Sequence, residues 1–302
     1  MRLTDIQKRI LSGRKTQFLD LFPGAIGAWS LRQLSFPAVA VVRVRRSSDN
    51  AEQDFFSNQI TNGVLTDWIG AANDGSVSVW YDQSGNGAHQ QPPSPAEEPF
   101  IIESGGLITK NGKPALKYNS GNGRTTATVP GLSDAANLST FVVDSPSLAS
   151  APDTITNIIF GYALGGESQT NQGLNFGVTT SLLSGETYCF TWAGPGGARL
   201  GSSTYSHAAG EQLFESIFNL ASGTETWKNG VRLDLNLAFG FSTNNVSSPA
   251  ATGSTLNTFH LNSNNGVGNG PEKLYQEVII YPADKKSDRV AIESNLTTYY
   301  GT

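Results

Sequence analysis

The sequence has little cysteine, little charge and no long apolar run, and each shortage excludes a class of protein. A single cysteine in 302 residues, Cys189, excludes an internal disulfide framework. Charged residues make up 15% of the chain and the net charge is −5, so we expect no nucleic-acid partner. No apolar stretch reaches membrane-spanning length, so we expect no membrane partner. Charged residues follow Met1, so we expect no signal peptide and synthesis in a cytoplasm.

Turn-forming and aromatic residues are plentiful. The chain has 33 glycines, 15 phenylalanines, nine tyrosines and five tryptophans, which is typical of an all-β protein with many turns. Asn-Gly, the strongest short hairpin signal, occurs with its asparagine at positions 62, 86, 111, 122, 229, 265 and 269. Valine-rich runs predict two early strands, at 39–44 and 77–81. Further strands are predicted at 99–103, 107–109, 114–118, 139–144, 156–162, 173–179, 186–192, 213–219, 224–228, 231–235 and 255–261.

The last strand and the last helix are predicted from residues 272–302. Leu274, Val278 and Ile280 lie on one side of a period-2 pattern that predicts a strand at 273–281, and Pro282 ends it. A short amphipathic helix follows, with a cap before it, apolar residues at helical spacing and a glycine after it. The residues in this pattern are Ser287, Ile292, Leu296, Tyr299, Tyr300 and Gly301.

Residues 1–27 differ from the rest and are predicted to form a helical arm in front of a sandwich domain at 28–302. Five basic residues against two acidic ones give the arm a local charge of +3. Either the arm packs on its own sandwich, or it docks on another subunit. The residues assigned to attachment are Ile6, Ile10, Arg14, Phe18 and Phe22.

Several motifs carry a resemblance to a known superfamily. They are WYDQSGNG (80–87), NGKPALKYNSGNG (111–123), WKNGVRL (227–233) and YQEVIIYPADKKSDRVAIESNLTTYYG (275–301). Together they resemble the concanavalin A-like lectin/glucanase superfamily in its LamG-type form, which implies a two-sheet antiparallel jelly-roll sandwich. The run VRVRRSSDNAEQDF (42–55) and the YDQSGNG loop resemble the catalytic domain of fungal-type α-L-arabinofuranosidase B. The same two motifs also resemble bacteriophage virion proteins that carry this sandwich.

The carboxylates that the arabinofuranosidase resemblance implies are missing from the matching places. A retaining glycosidase needs two carboxylates about 5–5.5 Å apart. The family's acid/base aspartate lies in a Gly-Gly-Asp-Asn-Ser-Asn-Gly loop, whereas residues 260–266 read HLNSNNG, and neutral amides cannot exchange the proton. Glu186 lacks the acidic context of the family's nucleophile, and Val143-Asp144 lacks flanking glutamates. We therefore expect no catalytic residues and no enzyme, with a hydrolase of relocated carboxylates as the alternative.

An asparagine-rich loop and an aromatic loop are the candidate ligand-binding features. The candidate glycan-binding residues are Trp192, Asn262, Asn264 and Asn265. Turn chemistry is the alternative explanation, because asparagine and glycine tolerate positive φ. Asp82 and Asn86 offer oxygen ligands to calcium, and an Asx-turn in the SGNG loop explains them equally well. No other cofactor and no metal are expected.

The sequence, with its resemblance, thus predicts a non-catalytic bacteriophage virion structural protein, either a head decoration (cement) protein or a fibre protein. A tail receptor-binding adhesin for host surface polysaccharide is the alternative, and a glycoside hydrolase of the arabinofuranosidase type is the second. The expected location is the virion. The expected partners are the major capsid or tail protein and a host surface glycan. The resemblance also implies a homo-oligomer, commonly a trimer.

Overall fold

The computed structural model describes residues 16–119, 123–132, 137–146, 158–163, 175–180, 187–192, 199–205, 212–219, 223–232, 258–262 and 272–302. Its strands are β1 (Gly27–Ser30), β2 (Ala40–Arg46), β3 (Glu52–Phe56), β4 (Gly75–Trp80), β5 (Phe100–Glu103), β6 (Gly106–Leu107), β7 (Thr109–Lys110), β8 (Lys113–Pro114), β9 (Leu116–Tyr118), β10 (Thr125–Thr128), β11 (Asn137–Pro146), β12 (Ile158–Ala163), β13 (Asn175–Thr180), β14 (Thr187–Trp192), β15 (Arg199–Tyr205), β16 (Gln212–Asn219), β17 (Gly223–Lys228), β18 (Val231–Arg232), β19 (Thr258–Leu261) and β20 (Lys273–Tyr281). Its helices are α1 (Phe18–Leu21), α2 (Ser57–Thr61), α3 (Val64–Ile69) and α4 (Arg289–Tyr300), with a 3₁₀ turn at Pro95–Glu97. None of the helices in these ranges has the length and apolar character needed to cross a bilayer.

Two antiparallel sheets form a sandwich, as predicted. The large sheet has the order β18-β17-β16-β11-β20-β9-β5-β4-β2-β3, with β1 beside β20 and β6 beside β5. The small sheet has the order β10-β19-β12-β13-β14-β15, and β7 and β8 form a separate ribbon. An isolated bridge from Gln90 to Trp80 and another from Gln91 to Thr126 join β4 of the large sheet to β10, an edge strand of the small sheet.

The main core lies between the two sheets. The ring of Trp29 on β1 stacks on the ring of Phe259 on β19, with centroids 5.3 Å apart and planes 5° from parallel. Both side chains have no exposed surface. The cluster around them draws aliphatic side chains from both sheets, including Val42, Val142, Leu261, Val278 and Ile280. Because burial of apolar area is the main favourable term in folding, this cluster holds the sheets together.

A second core covers the outer face of the large sheet. Helix α4 places Ile292, Leu296 and Tyr300 on this face, and α1 adds Phe18. The sheet contributes Ala28, Phe141, Val143, Leu213, Ile279 and Tyr281. The helix predicted at the C-terminus therefore packs on the sheet, beginning after Asp288 rather than after the predicted cap Ser287.

A buried ionic network fixes the C-terminal end of α4 to the sheet. Glu277 on β20 is 1% exposed and makes a bidentate pair with Arg32 at 2.7 and 2.8 Å. The Tyr300 hydroxyl donates to the same carboxylate at 2.8 Å, and the Ser30 hydroxyl donates to it at 2.7 Å. Oε2 of Glu277 thus accepts from three donors and Oε1 from one, so both oxygen atoms of the buried carboxylate are hydrogen-bonded.

Strand β20 has its predicted bounds, and most of the strands from β5 to β19 overlap a predicted range. Strands β1, β3, β10 and β15 were not predicted. The predicted phase of β20 is also wrong at its start. The pairing of β11 with β20 shifts between Val143 and Asp144, so that Asp144 pairs with Tyr275. This bulge turns Tyr275 into the main core and leaves Leu274 half-buried, because one extra residue reverses the side-chain alternation.

Candidate functional site

The small sheet places the predicted ligand residue Trp192 in a row with residues from all of its strands. The Cα of Trp192 on β14 lies opposite Asn175 on β13 and Arg199 on β15. The register continues through β12, β19 and β10, so that one cross-strand row reaches Gln91. Neighbouring strands lie about 4.8 Å apart, so about 14 Å separate Trp192 from His260. The row contains Gln91, Thr126, His260, Gly161, Asn175, Trp192 and Arg199.

Asn262 directly follows β19 and is fully buried. Its φ of 53° is left-handed, a conformation that asparagine adopts more readily than most residues. Its Nδ2 donates to the carbonyl oxygen of Gly123 at 2.8 Å. Its Oδ1 is buried and has no hydrogen-bond partner in the part of the chain that the structure describes. The other two predicted ligand residues of this loop, Asn264 and Asn265, lie outside the described residues.

His260, two residues before Asn262, keeps 8% of its surface exposed. Its Nδ1 is buried and, within the described ranges, has no hydrogen-bond partner. Burial, together with the positive charge of Arg124, lowers the pKa of His260 from 6.5 to about 4. The imidazole is therefore neutral at neutral pH. Arg124 itself is engaged by the carboxylate of Glu97.

Two residues of opposite charge are buried at the same end of the sandwich. Asp144 on β11 is 0% exposed and Lys273 at the start of β20 is 2% exposed. Burial lowers the pKa of Lys273 from 10.5 to about 8, and the negative charge of Asp144 opposes that decrease. Lys273 is therefore still mainly protonated at neutral pH. Such a pair is tolerated in an apolar interior because each charge compensates the other.

Tyr275 connects the charged pair to Asn262. Its hydroxyl oxygen accepts a hydrogen bond from the backbone N–H of Asn262. Burial and the charge of Asp144 raise the pKa of Tyr275 well above 10, so the phenol stays protonated. We call Asp144, Lys273, Tyr275 and Asn262 the sheet-end site. His260 lies beside it on β19, on the opposite face of the strand from the core residues Phe259 and Leu261. Its ionisable members were not among the predicted site residues, because the bulge that pairs Asp144 with Tyr275 leaves no mark on the local pattern.

The carboxylate of Asp82 in the YDQSGNG loop is bonded within the protein. Its Oδ1 accepts from the backbone N–H groups of Ala28 at 2.8 Å and Ser84 at 2.9 Å. Its Oδ2 accepts from the Ser84 hydroxyl at 2.7 Å and from the N–H of Ala88 at 3.2 Å. The Asn86 amide donates to the carbonyl of Ala25 at 3.1 Å. These hydrogen bonds form the Asx-turn that is one of the two explanations given for Asp82 and Asn86. The bond from Ala28 ties the loop to β1.

Two of the residues assigned to the attachment arm lie in described chain. Phe18 is 4% exposed in the outer core, and Phe22 packs against that core. The hydroxyl of Tyr281 donates to the carbonyl of Phe22 at 2.9 Å. Ile6, Ile10 and Arg14 lie outside the described residues. Docking of the arm on another subunit stays a prediction.

Trp29, Trp80 and Trp227 are buried, and Trp68 packs, half-buried, against Phe55. Glu186, the sequence candidate for a nucleophile, lies outside the described residues. Cys189 lies on β14.

Comparison with known proteins finds similarity in structure. No protein-family model matches the chain, and no curated protein sequence matches it. The structure of an arabinofuranosidase complexed with arabinofuranosyl-α-1,2-xylobiose aligns with a TM-score of 0.60 and 14% identity. A GH54 α-L-arabinofuranosidase soaked with a cyclic sulfate inhibitor aligns with a TM-score of 0.60 and 16% identity. Each alignment covers 90% of this chain and 62% of the other, so the chain spans about three-fifths of those proteins. At these identities the likeness is one of fold.

The prediction of a non-catalytic bacteriophage virion structural protein, and hence of no enzyme, is wrong. The two arabinofuranosidase structures, which share the fold over nine-tenths of the chain, are glycoside hydrolases. Neither supports a role in a virion or a capsid. The distant arabinofuranosidase-like similarity is confirmed. The physical error was to equate a missing aspartate in one loop with missing catalysis. A carboxylate on another strand can supply a catalytic group instead.

Proposed function

We propose that the chain is a glycoside hydrolase that acts on an arabinofuranosyl-bearing glycan at the sheet-end site. One observation carries the proposal. Counting along HLNSNNG, Asn262 stands where the arabinofuranosidase pattern has its acid/base aspartate, and Asp144 lies one tyrosine side chain away from it. A carboxylate is therefore present beside this loop, on the neighbouring strand β11, although the loop itself has none.

The surroundings of Asp144 suit the ionised member of a catalytic pair. A glycosidase pairs an ionised carboxylate with a protonated one. A nearby ammonium group favours the charged form of a carboxylate, and Lys273 supplies that group beside Asp144. We assign the protonated role to Glu186, on the sequence argument that it is the nearest acidic residue on the central strands. The neutral hydroxyl of Tyr275 holds the backbone of Asn262 in place.

The fold supports the same assignment. The two solved structures described above are arabinofuranosidases, and one of them holds arabinofuranosyl-α-1,2-xylobiose. The cross-strand row that contains His260 also contains Trp192, and aromatic residues commonly line ligand sites. We therefore expect the glycan to lie along this row, with its scissile bond at the sheet-end site.

Release of 4-nitrophenol from 4-nitrophenyl α-L-arabinofuranoside, and of arabinose from arabinan, tests the proposal on the purified chain. We expect turnover by the parent protein and a loss of 10²-fold or more in kcat for Asp144→Asn and for Glu186→Gln. Asp54→Asn is the matched control, because Asp54 is exposed and pairs with Arg43 on the surface. It should keep full activity.

Folding of each variant is checked by circular dichroism, because Asp144→Asn leaves the Lys273 charge buried without compensation. Glu186→Gln and Tyr275→Phe keep the test decisive if Asp144→Asn does not fold. The proposal is overturned if the folded parent protein releases no sugar, or if both carboxamide variants retain full turnover.

A further inference from the structure

Two buried polar atoms at the end of β19 have no hydrogen-bond partner within the described part of the chain. They are Nδ1 of His260 and Oδ1 of Asn262. Their side chains are 8% and 0% exposed, respectively. Buried polar groups are almost always paired, and one left unpaired destabilises the fold. Two such atoms two residues apart therefore indicate a place where something else supplies the partner.

The chemistry of the two atoms defines that partner. A carboxamide oxygen accepts hydrogen bonds and cannot donate, so the partner must carry a donor. Nδ1 of a neutral imidazole accepts in one tautomer and donates in the other. A hydroxyl group satisfies both atoms, because it donates and accepts. The two residues are separated by Leu261 alone, so their Cα atoms lie at most about 7 Å apart, a span that the hydroxyls of one sugar ring can bridge.

The charges around the two atoms argue against an acidic ligand. An anion would present only acceptors to Asn262 Oδ1. Arg124, the cation that acts on His260, is already engaged by Glu97. The side-chain nitrogen Nδ2 of Asn262 donates to the Gly123 carbonyl, so the amide cannot turn to present a donor in place of Oδ1.

We propose that His260 and Asn262 form a subsite that binds hydroxyl groups of a neutral sugar. The subsite rests on the proposed function, since it specifies which part of the glycan the sheet-end site holds. Trp192 lies in the same cross-strand row and is not part of the subsite. His260 is assigned to binding and not to proton transfer, because its pKa of about 4 leaves it neutral near pH 7.

Ring ¹H–¹⁵N spectra of the intact chain, titrated with L-arabinose, test the subsite without any turnover. We expect the His260 resonances to move on addition of the sugar, and those of His89 to stay. His89 is the internal control, because its Nδ1 already accepts from the backbone N–H of Asp82 at 3.2 Å. Glucuronic acid should shift His260 less than arabinose does.

Kinetics on 4-nitrophenyl α-L-arabinofuranoside provide the second measurement. We expect His260→Leu to raise KM about tenfold with little change in kcat, because a ground-state hydrogen bond is lost. His260→Gln keeps an acceptor and should restore most of the affinity. His89→Gln should leave KM unchanged.

The two proposals fail in different ways. If arabinose shifts His260 but no sugar is released from any substrate, the hydrolase proposal fails and the subsite stands. If turnover is normal while arabinose leaves His260 unmoved and His260→Leu leaves KM unchanged, the subsite is overturned and the hydrolase stands. In that case water alone forms hydrogen bonds with the two atoms.

Discussion

At position 262 one side chain combines a backbone requirement with a specific hydrogen bond. Asn262 and Asn229 both have left-handed backbones, with φ of 53° and 48°. They use opposite ends of their amides. Asn262 donates through Nδ2 to the Gly123 carbonyl, whereas Asn229 accepts through Oδ1 from the Leu213 N–H at 2.7 Å. Replacement by aspartate, which only accepts when ionised, therefore separates the two roles.

We expect Asn262→Asp to lower the free energy of unfolding by about 1–3 kcal/mol, because a buried carboxylate oxygen would face the Gly123 carbonyl. Asn229→Asp keeps its acceptor at an exposed position and should change stability by less than about 0.5 kcal/mol. Urea denaturation of both variants at pH 7 measures the difference. Equal losses in the two variants would contradict the assigned polarity of the hydrogen bonds.

How much of the site can be predicted at this scale depends on the range of its interactions. Asn262 is found from the sequence, because Asn/Gly turn chemistry is local. Asp144 and Lys273 are not, because they meet across β11 and β20, whose register shifts at a bulge between Val143 and Asp144. A lysine at the first position of a strand has no local feature that distinguishes it from a surface lysine. Its burial is a property of the tertiary fold.

At the scale of one element, the N-terminal end of α4 is held on the large sheet by the guanidinium of Arg289. Arg289 pairs with Glu215 on β16 at 3.2 Å and with Glu293 at 2.9 Å, and it lies over the ring of Trp227 at 4.8 Å. Glu215 is 0% exposed, and its Oε1 has no partner among the described residues. One guanidinium thus serves two carboxylates. Burial, with the charge of Glu293, raises the pKa of Glu215 from 4.5 to about 7, although Arg289 opposes the increase.

This shift predicts a pH dependence of stability with a definite sign. The folded-state pKa of Glu215 lies above the unfolded value of 4.5, so its contribution is fully present below pH 4.5 and is lost as the pH rises through about 7. We expect Glu215→Gln, which cannot titrate, to gain stability relative to the parent between pH 5 and pH 8. The gain should be a few kcal/mol, since one pKa unit corresponds to about 1.4 kcal/mol.

Urea denaturation at several pH values, with parent and variant in the same buffers, measures this difference. Glu103→Gln is the control, because Glu103 is an exposed carboxylate paired with Lys117. Its stability difference from the parent should be the same at pH 5 and pH 8. A constant difference for Glu215→Gln as well would show that Glu215 is ionised over the whole range.

Element bounds are predictable from sequence where period and punctuation agree. The strand at 273–281 is ended by Pro282, and α4 ends at Gly301, whose φ is 76°. Prediction fails for β1, whose four residues are buried on both faces and show no alternation. It also fails for β3, whose first three residues are exposed and polar. Such strands are defined by their pairing partners rather than by their own composition.

At the scale of the whole molecule, the N-terminal segment belongs to the outer core from Phe18 onward. The N–H of Leu19 donates to the carbonyl of Leu34 at 2.9 Å. We expect Phe18→Ala to lower the free energy of unfolding by about 3 kcal/mol or more, because it leaves a cavity under α4. Leu21→Ala, on the same short helix with 43% exposure, should cost less than about 1 kcal/mol. Similar losses from thermal or urea unfolding would mean that this segment is not anchored through Phe18.

The two sheets should unfold as one cooperative unit, because Trp29 and Phe259 stack across their interface and most of the buried apolar area lies there. Phe259→Ala on β19 should therefore lower hydrogen-exchange protection by about 10²-fold or more, in β20 as much as in β19. Exchange measured by mass spectrometry on peptides from both strands tests this. Val231→Ala, at an edge position with 67% exposure, is the control and should leave both strands protected. Loss of protection in β19 alone would mean that the small sheet opens independently. The sheet-end site, which takes Asn262 from one sheet and Asp144 from the other, would then separate before the molecule unfolds.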